Sequence, residues 1–396
     1  MIERTEYLNK LIAFKDKQLI KVVTGVRRCG KSTLFRLFQE YLKKDGVSEK
    51  QIQSVNFEDM AFSDLLDPKK LYDYIMKNAQ KGKKNYIFLD EIQNVAEFQK
   101  AVDSLYIREG FDIYITGSNA FLLSGELATL LSGRYVEIKM LPLSFKEFVS
   151  SKEKPNLQEE YARYLEYGSF PYVLQIDDDA SIRNYLSDIL NSIVVKDVLT
   201  RHRINDTSDV LRILKFIFDT TGNIISIKKI SDTMTSAGYK ITPQTVEKYI
   251  RALTESFVLY SASRYDIKGK KYLQSGDKYY PVDTGIRYAL LGKRGTDTGH
   301  LLENIVYLEL LRRGYTVFVG KVADTEVDFV AVNQDGTSYY QVSQTVMDKT
   351  VLERELKPLQ SIKDHYPKYL LTLDYLPDGD YDGIKRLNVL NWLISK

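Results

Sequence analysis

The chain has 396 residues, with 56 lysines and arginines against 53 aspartates and glutamates and a formal net charge of +3. That near-balance excludes a global field pulling the protein onto nucleic acid or an anionic membrane, so any basic surface must be local. The length is too great for one compact core and predicts two to four domains. Apolar residues at 44% and charged residues at 28% match a soluble globular protein. The single cysteine, Cys29, excludes an internal disulfide and a multi-cysteine zinc site and suits a reducing compartment. The start Met1-Ile2-Glu3-Arg4-Thr5-Glu6 is polar and lacks a signal-like apolar stretch. No run approaches the ~18 to 20 apolar residues of a membrane helix. These features predict a soluble, cytoplasmic protein without a membrane partner.

Taken in chain order, Leu19-Ile20-Lys21-Val22-Val23-Thr24 predicts a buried strand. Leu34, Leu37, Phe38, Tyr41 and Leu42 then fall on one helical face. Between strand and helix lies Gly25-Val26-Arg27-Arg28-Cys29-Gly30-Lys31-Ser32, followed by Thr33, which fits G-x-x-x-x-G-K-[ST] in the strand-to-helix setting that motif requires. The glycines allow backbone N–H groups to turn inward around phosphates, and the helix N-terminus adds a favourable field. Lys31 is expected to reach the β and γ phosphates, and Ser32 to supply a hydroxyl to Mg2+. Cys29 reads as a small loop side chain; its place by a helix N-terminus would also suit a reactive thiol.

Further strands are predicted at Ile52 to Glu58, Tyr86 to Asp90, Ile113 to Thr116 and Tyr135 to Met140. Alternating with helices, they indicate a parallel α/β sheet. Tyr86-Ile87-Phe88-Leu89 delivers Asp90-Glu91 to the C-terminal edge, where ligands of such sheets bind. Asp90 is expected to hold Mg2+ and Glu91 to polarise the attacking water. The strand at 52–58, between the loop and Asp90, points to the P-loop subclass with an inserted strand. Ile113-Tyr114-Ile115-Thr116 ends in Gly117-Ser118-Asn119, whose polar side chains either meet the γ-phosphate or cap a helix.

These motifs, with Phe88-Leu89-Asp90-Glu91-Ile92-Gln93, Thr116-Gly117-Ser118 and Leu141-Pro142-Leu143-Ser144-Phe145, resemble the AAA-superfamily ATPases that carry a C-terminal domain of uncharacterised function. The resemblance spans nearly the whole chain. It implies ATP as ligand, a sensor role for Ser118 or Asn119, and a homo-oligomer in which an arginine reaches a neighbour's γ-phosphate. Ser132-Gly133-Arg134 precedes the fifth strand, where such a finger belongs, with Arg28 and Arg27 as rivals. Gly168-Ser169-Phe170-Pro171 resembles a lid turn that packs Pro171 against adenine, and equally a turn joining two helices.

The remainder predicts three further pieces. Residues 151–205 form a helical lid behind the nucleotide domain at 1–150. Residues 206–290 read as a winged-helix module: Val210, Leu211, Leu214 and Ile217 mark one helix, Ile227, Ile230 and Met234 a second, and Thr242-Pro243 opens a third. The third exposes Gln244, Thr245, Lys248 and Arg251. The hairpin Ser263 to Tyr280 carries Arg264, Lys268, Lys270, Lys271 and Lys278. Such a face either contacts double-stranded DNA or bridges domains, leaving a protein partner as the alternative.

Residues 291–396 place Glu303 on a helix, Asp328 on a strand and Gln341 with Ser343 on the returning strand, an order resembling the restriction-endonuclease core. That core needs two carboxylates for metal and a lysine two residues after the second. Gln341 and Ser343 depart from it, Lys349 being the lysine that could migrate in, so a scaffold kept for binding is expected over a metal-dependent nuclease. The fold class expected is α/β: an AAA-type P-loop sheet, helical lid, winged helix and restriction-endonuclease-like C-terminal domain. The expected activity is that of a Mg2+-dependent ATPase or ATP-controlled switch, with a nucleotide sensor lacking turnover as the alternative.

Overall fold

The computed structural model describes residues 2–120, 131, 133–272, 276–293 and 298–395. Where the sequence predicts four pieces, the chain divides into two compact units: Met1–Met140 with Glu255–Phe257, and Leu141–Thr254 with Val258–Lys396.

In the first unit, helix α1 (Thr5–Phe14) precedes β1 (Ile20–Thr24), which is buried along its whole length. Such strands read as continuous apolar runs because both faces of a parallel sheet are covered. The exception is Lys21, fully buried and paired with Asp112, its ammonium 5.2 Å from the Tyr114 ring. Helix α2 (Lys31–Lys44) buries Leu34, Phe35, Phe38 and Leu42. Phe35 therefore takes the inward place that the sequence pattern assigns to Leu37 and Tyr41, which are only half-buried. Strands β2 (Ile52–Asn56), β3 (Asn85–Asp90), β4 (Phe111–Gly117) and β5 (Tyr135–Lys139) complete the sheet, with α3 (Pro68–Asn78) and α4 (Phe98–Tyr106) as connections. The order is β2-β3-β4-β1-β5, and every pairing is parallel. Strand β4 thus separates β1 from β3. Because all strands run one way, Thr24, Asp90 and Gly117 finish at the same edge.

The second unit is helical, then mixed. Helices α5 (Phe145–Val149), α6 (Leu157–Tyr167) and α7 (Asp179–Ser192) lead through a π-helical stretch, Ile193–Thr200. Next come α8 (Thr207–Asp219), β6 (Ile224–Ile225), α9 (Ile227–Ser236) and α10 (Pro243–Glu255). Strands β7 (Leu259–Ala262), β8 (Arg264–Asp266), β9 (Lys271–Tyr272) and β10 (Asp277–Pro281) follow. After α11 (Thr284–Leu291) and α12 (Thr298–Arg312) come β11 (Thr316–Val322), β12 (Thr325–Asn333) and β13 (Gly336–Ser343). The chain finishes with α13 (Lys349–Gln360), β14 (Lys368–Thr372), β15 (Gly379–Tyr381), β16 (Ile384–Asn388) and α14 (Val389–Ile394).

Two sheets result: β6-β10-β7, and an eight-stranded sheet ordered β15-β16-β14-β13-β12-β11-β8-β9. The 263–280 segment is therefore not a free hairpin. Its inner strand β8 pairs in parallel with β11, covering an edge that would otherwise expose unpaired backbone groups. Helix α12 is buried on nearly every side, from Leu301 to Leu310, as a helix enclosed by its neighbours must be. The protein is thus α/β, a parallel five-stranded P-loop-like sheet followed by a helical and mixed-sheet region. Among the described residues no helix is long and apolar enough to cross a membrane.

Candidate functional site: the phosphate loop and its carboxylates

The loop leaves β1 at Thr24, whose carbonyl accepts from the Met140 amide at 2.7 Å. Gly25 has φ +154°, and a Cβ there would lie 2.1 Å from the Met140 carbonyl oxygen, so only glycine fits. Gly30 takes φ 107° at the start of α2, a conformation that costs other residues dearly. Val26 is buried. Arg27 pairs with Glu58 at 2.6 Å, and Arg28 is exposed at φ 67°. Thr33 accepts a hydrogen bond from Arg36 at 3.2 Å. Cys29 is buried and its thiol pushed up by that burial, which disfavours the thiolate and fits a packed side chain. The Cys29 carbonyl accepts from the Arg4 guanidinium at 2.9 Å. Arg4 is 3% exposed, although an arginine in a polar N-terminal segment reads as a surface residue.

Lys31 donates to the Gly25 carbonyl at 3.1 Å and the Val26 carbonyl at 3.4 Å, and its third contact is Glu91 Oε1 at 3.3 Å. An ammonium has three donors, so the loop satisfies its own lysine. Burial works against the charge on both partners. Even so, Glu91 holds the Lys31 pKa up, and Lys31 with Gln93 holds the Glu91 carboxyl down. Gln93 Nε2 donates to Glu91 Oε2. Asp90 is pushed up by burial, against the opposing hydrogen bonds of the Ser32 and Thr116 hydroxyls. Lys31, Ser32, Asp90 and Glu91 thus converge at the C-terminal edge of the sheet. Thr116 Oγ1 donates to Asp90 Oδ1 and accepts from the Glu91 amide at 2.9 Å. Thr116, Gln93 and Arg4 are additions that sequence reasoning missed; a polar residue two positions before Ser118 on the neighbouring strand was the available signal for Thr116.

Ser118 and Asn119 are fully buried just past β4, and Asn119 Nδ2 lies 3.5 Å from Ser256 Oγ. Arg134 bonds Asp103 and sits 5.5 Å over the Tyr106 ring; Ser132 lies outside the described residues. The register Ile20↔Tyr135 puts Arg134 at the starting edge of the sheet, opposite the loop that follows Thr24. Arg134 therefore does not serve its own loop. In the second unit, the Ser169 amide and hydroxyl both donate to Asp283 Oδ2, while Asp283 Oδ1 caps α11 through the Gly285 and Ile286 amides. Arg312 donates to the Pro142 and Leu143 carbonyls, so the 141–145 motif is held by α12. Pro171, half-buried, opens a short turn, Pro171–Gln175.

The carboxylates of the C-terminal region form a separate cluster. Lys278 is 3% exposed and pairs with Glu303 at 2.8 Å and Glu326 at 2.7 Å. Here the sequence expectation of a basic hairpin residue facing solvent is corrected: pairing of β10 with β6 and β7 turns Lys278 inward. The Tyr280 hydroxyl also donates to Glu303, at 2.6 Å, and His300 Nδ1 lies 3.8 Å away. Asp328 Oδ2 accepts from the Val342 amide at 2.8 Å. The Gln341 amide is used at both ends, Oε1 by the Asp328 amide and Nε2 by Glu355. Lys349 instead reaches outward to Glu353, 87% exposed, so it is not the migrated lysine. With an ammonium already between the carboxylates and the amide occupied, these residues do not fit a divalent cation. Among the described residues no group of three or more His, Cys, Asp or Glu side chains could hold a metal ion.

Residues 17–149 match an AAA domain, and residues 158–297 match a domain of unknown function, DUF8612. An uncharacterized protein of Haemophilus influenzae is 42% identical over 400 residues, 100% of this chain and 99% of the relative. An uncharacterized protein of Methanocaldococcus jannaschii is 32% identical over 367 residues, 87% of this chain and 79% of that one. The Walker-type ATPase paby2304 of Pyrococcus abyssi is 16% identical, covering 73% of this chain and 96% of its own at TM-score 0.47, a level at which the likeness carries no argument. The chain belongs to the family of AAA-domain P-loop proteins that carry a C-terminal domain of uncharacterised function.

Proposed function

We propose that this protein is a Mg2+-dependent ATPase, or an ATP-controlled switch, acting on DNA or a protein partner. The observation that carries the reading is the convergence of Lys31 and Glu91 at 3.3 Å beside the hydroxyl-bonded Asp90. Phosphates entering the loop meet inward backbone N–H groups and the N-terminus of α2. Lys31 then exchanges the Glu91 carboxylate for phosphate oxygens, and the freed Glu91 takes a proton from the attacking water. Ser32 and Asp90 offer the oxygen ligands that Mg2+ prefers, and the ion would neutralise charge on the phosphates. Ser118 and Asn119 sense the γ-phosphate from the end of β4. Arg134, which cannot serve its own loop, reaches that of a neighbouring copy.

A DNA partner is supported by α10, whose Gln244, Lys248 and Arg251 are exposed, and by the exposed Lys228 and Lys229 that begin α9. The helix order α8-α9-α10 with a three-stranded sheet supports the winged-helix reading, and Lys278 is removed from its basic face. Because Lys278 already occupies the space between Glu303 and Glu326, no nuclease step is assigned to these carboxylates.

Phosphate release from Mg-ATP by wild type and Glu91→Gln, each with and without double-stranded DNA, tests the reading. Loss of the general base is expected to lower turnover by about 100- to 10,000-fold while ATP binding persists. Stimulation of the wild type by DNA identifies the partner as nucleic acid. ATP binding without wild-type turnover removes the hydrolysis reading and leaves the switch.

A further inference from the structure

We infer that Thr116 is a positioning residue that clamps the Asp90 carboxylate and the Glu91 backbone of the phosphate site, an inference that rests on the ATPase reading above. Thr116 is fully buried, and its hydroxyl stands between the last residue of the neighbouring strand and the residue that follows it. It donates to Asp90 Oδ1 and accepts from the Glu91 amide at 2.9 Å. A hydroxyl is the one small side-chain group that can do both at once; valine has the same shape and can do neither.

Each half of the clamp has a separate effect. On Asp90, the Thr116 hydroxyl bonds Oδ1, and the Ser32 hydroxyl bonds the same carboxyl. Thr116 orients the group beside Ser32, where the two oxygen donors for Mg2+ must act together. On Glu91, the clamp holds an uncommon backbone conformation. Glu91 takes φ 55°, ψ 47°, the left-handed region that non-glycine residues enter at a cost. That twist turns the backbone at the end of β3, so that the Glu91 carboxylate returns over Lys31 instead of continuing the strand. The amide so turned leaves the ladder between β3 and β4, whose pairing with β4 runs only to Leu89↔Ile115. Thr116 supplies the acceptor that the ladder no longer provides, and a buried amide without one is costly. The placement follows from topology. Strand β4 lies between β1 and β3, so its last residues stand beside Asp90 and Glu91 on the side of the phosphate loop.

The test compares wild type, Thr116→Val and Thr116→Ser in three measurements: ATP turnover, the Mg2+ concentration for half-maximal nucleotide binding, and nucleotide affinity without Mg2+. Removing a supporting hydrogen bond of this kind is expected to cost about 10- to 100-fold in turnover and in Mg2+ half-saturation. Metal-free affinity should stay within about twofold, and serine, which keeps the hydroxyl, should restore most of the loss. Wild-type Mg2+ half-saturation in Thr116→Val, or a serine variant as impaired as the valine one, overturns the clamp. If the wild type has no turnover, the hydrolysis reading falls, yet Mg2+-dependent binding still decides the role of Thr116. Should Thr116→Val not fold, amide hydrogen exchange at Glu91 in the nucleotide-free wild type decides. Slow exchange supports the clamp, and exchange at the rate of an exposed turn overturns it.

Discussion

Among the described residues, two buried lysine–glutamate pairs share the same chemistry in opposite surroundings. Lys31 and Glu91 lie 3.3 Å apart, with side chains 4% and 9% exposed; Lys278 and Glu303 lie 2.8 Å apart at the same exposures. Around Lys31 the other partners are loop carbonyls, and Glu91 keeps Gln93 as a second, neutral partner. The pair can therefore open without stranding a charge. Around Lys278 the other partners are Glu326 and the nearby Asp328, so one ammonium balances three acids. Identical residue types thus give an exchangeable contact in one unit and a fixed one in the other. What differs is the number of carboxylates that depend on each lysine.

The same substitution at both places should break this symmetry most visibly. Lys278→Met leaves buried carboxylates without a counter-charge, and removing one partner of such a pair costs about 3–5 kcal/mol. ATP binding should be unaffected. Lys31→Met strands only Glu91, which retains Gln93 and the field of Arg27. It should therefore destabilise less while losing nucleotide binding. Urea unfolding and nucleotide titration of the two variants provide the check. Equal stability losses would sink the distinction.

Titration sharpens the comparison next. Burial would raise the Glu303 carboxyl, but Lys278, His300 and Tyr280 hold it below its ordinary value. Burial and Glu303 push Asp328 well up. A depressed acid stabilises the fold above its unfolded value of about 4.3 and loses that contribution as pH falls through the folded pKa. A raised acid does the reverse: its contribution is complete below about pH 4 and disappears as pH rises through the folded pKa. Asp328→Asn removes the second behaviour and keeps an acceptor for the Val342 amide. The variant should gain stability relative to wild type as pH rises from 5 to 8. Thermal unfolding across that range would show it, and a constant difference would show that Asp328 is charged throughout.

Much of the first unit was legible because buried parallel strands read as apolar runs ending in turn residues. Ile20–Thr24 and Asn85–Asp90 stand within a residue of where the pattern puts them. The loop motif likewise fixes its own conformation through Gly25 and Gly30. The misses share a cause: their roles come from partners distant in sequence. Thr116 reads as a β-branched strand residue until β4 is known to lie beside β3. Lys278 reads as a solvated hairpin residue until α12 brings Glu303 to it, 25 positions away. Strand β8 gave no sign of joining β11, because parallel pairing leaves no local turn signature.

The smallest expected effect concerns Gln93, which separates the two pairs most directly because Glu303 has no neutral amide partner of this kind among the described residues. Glu91 Oε2 can only accept when ionised, so the amide nitrogen of Gln93 must face it, leaving Gln93 Oε1 buried and without a hydrogen-bond partner among the described residues. An unpartnered acceptor beside the proposed base is suited to a donor that arrives with substrate, and the attacking water is one. Gln93→Ala removes both the hold on Glu91 and that acceptor, while leaving the ion pair with Lys31 intact. Losing about one hydrogen bond, near 1 kcal/mol, should lower kcat roughly fivefold with KM unchanged. If KM rises and kcat stays constant, Gln93 supports nucleotide binding and not the water. If neither moves, Lys31 and Thr116 are enough to place Glu91.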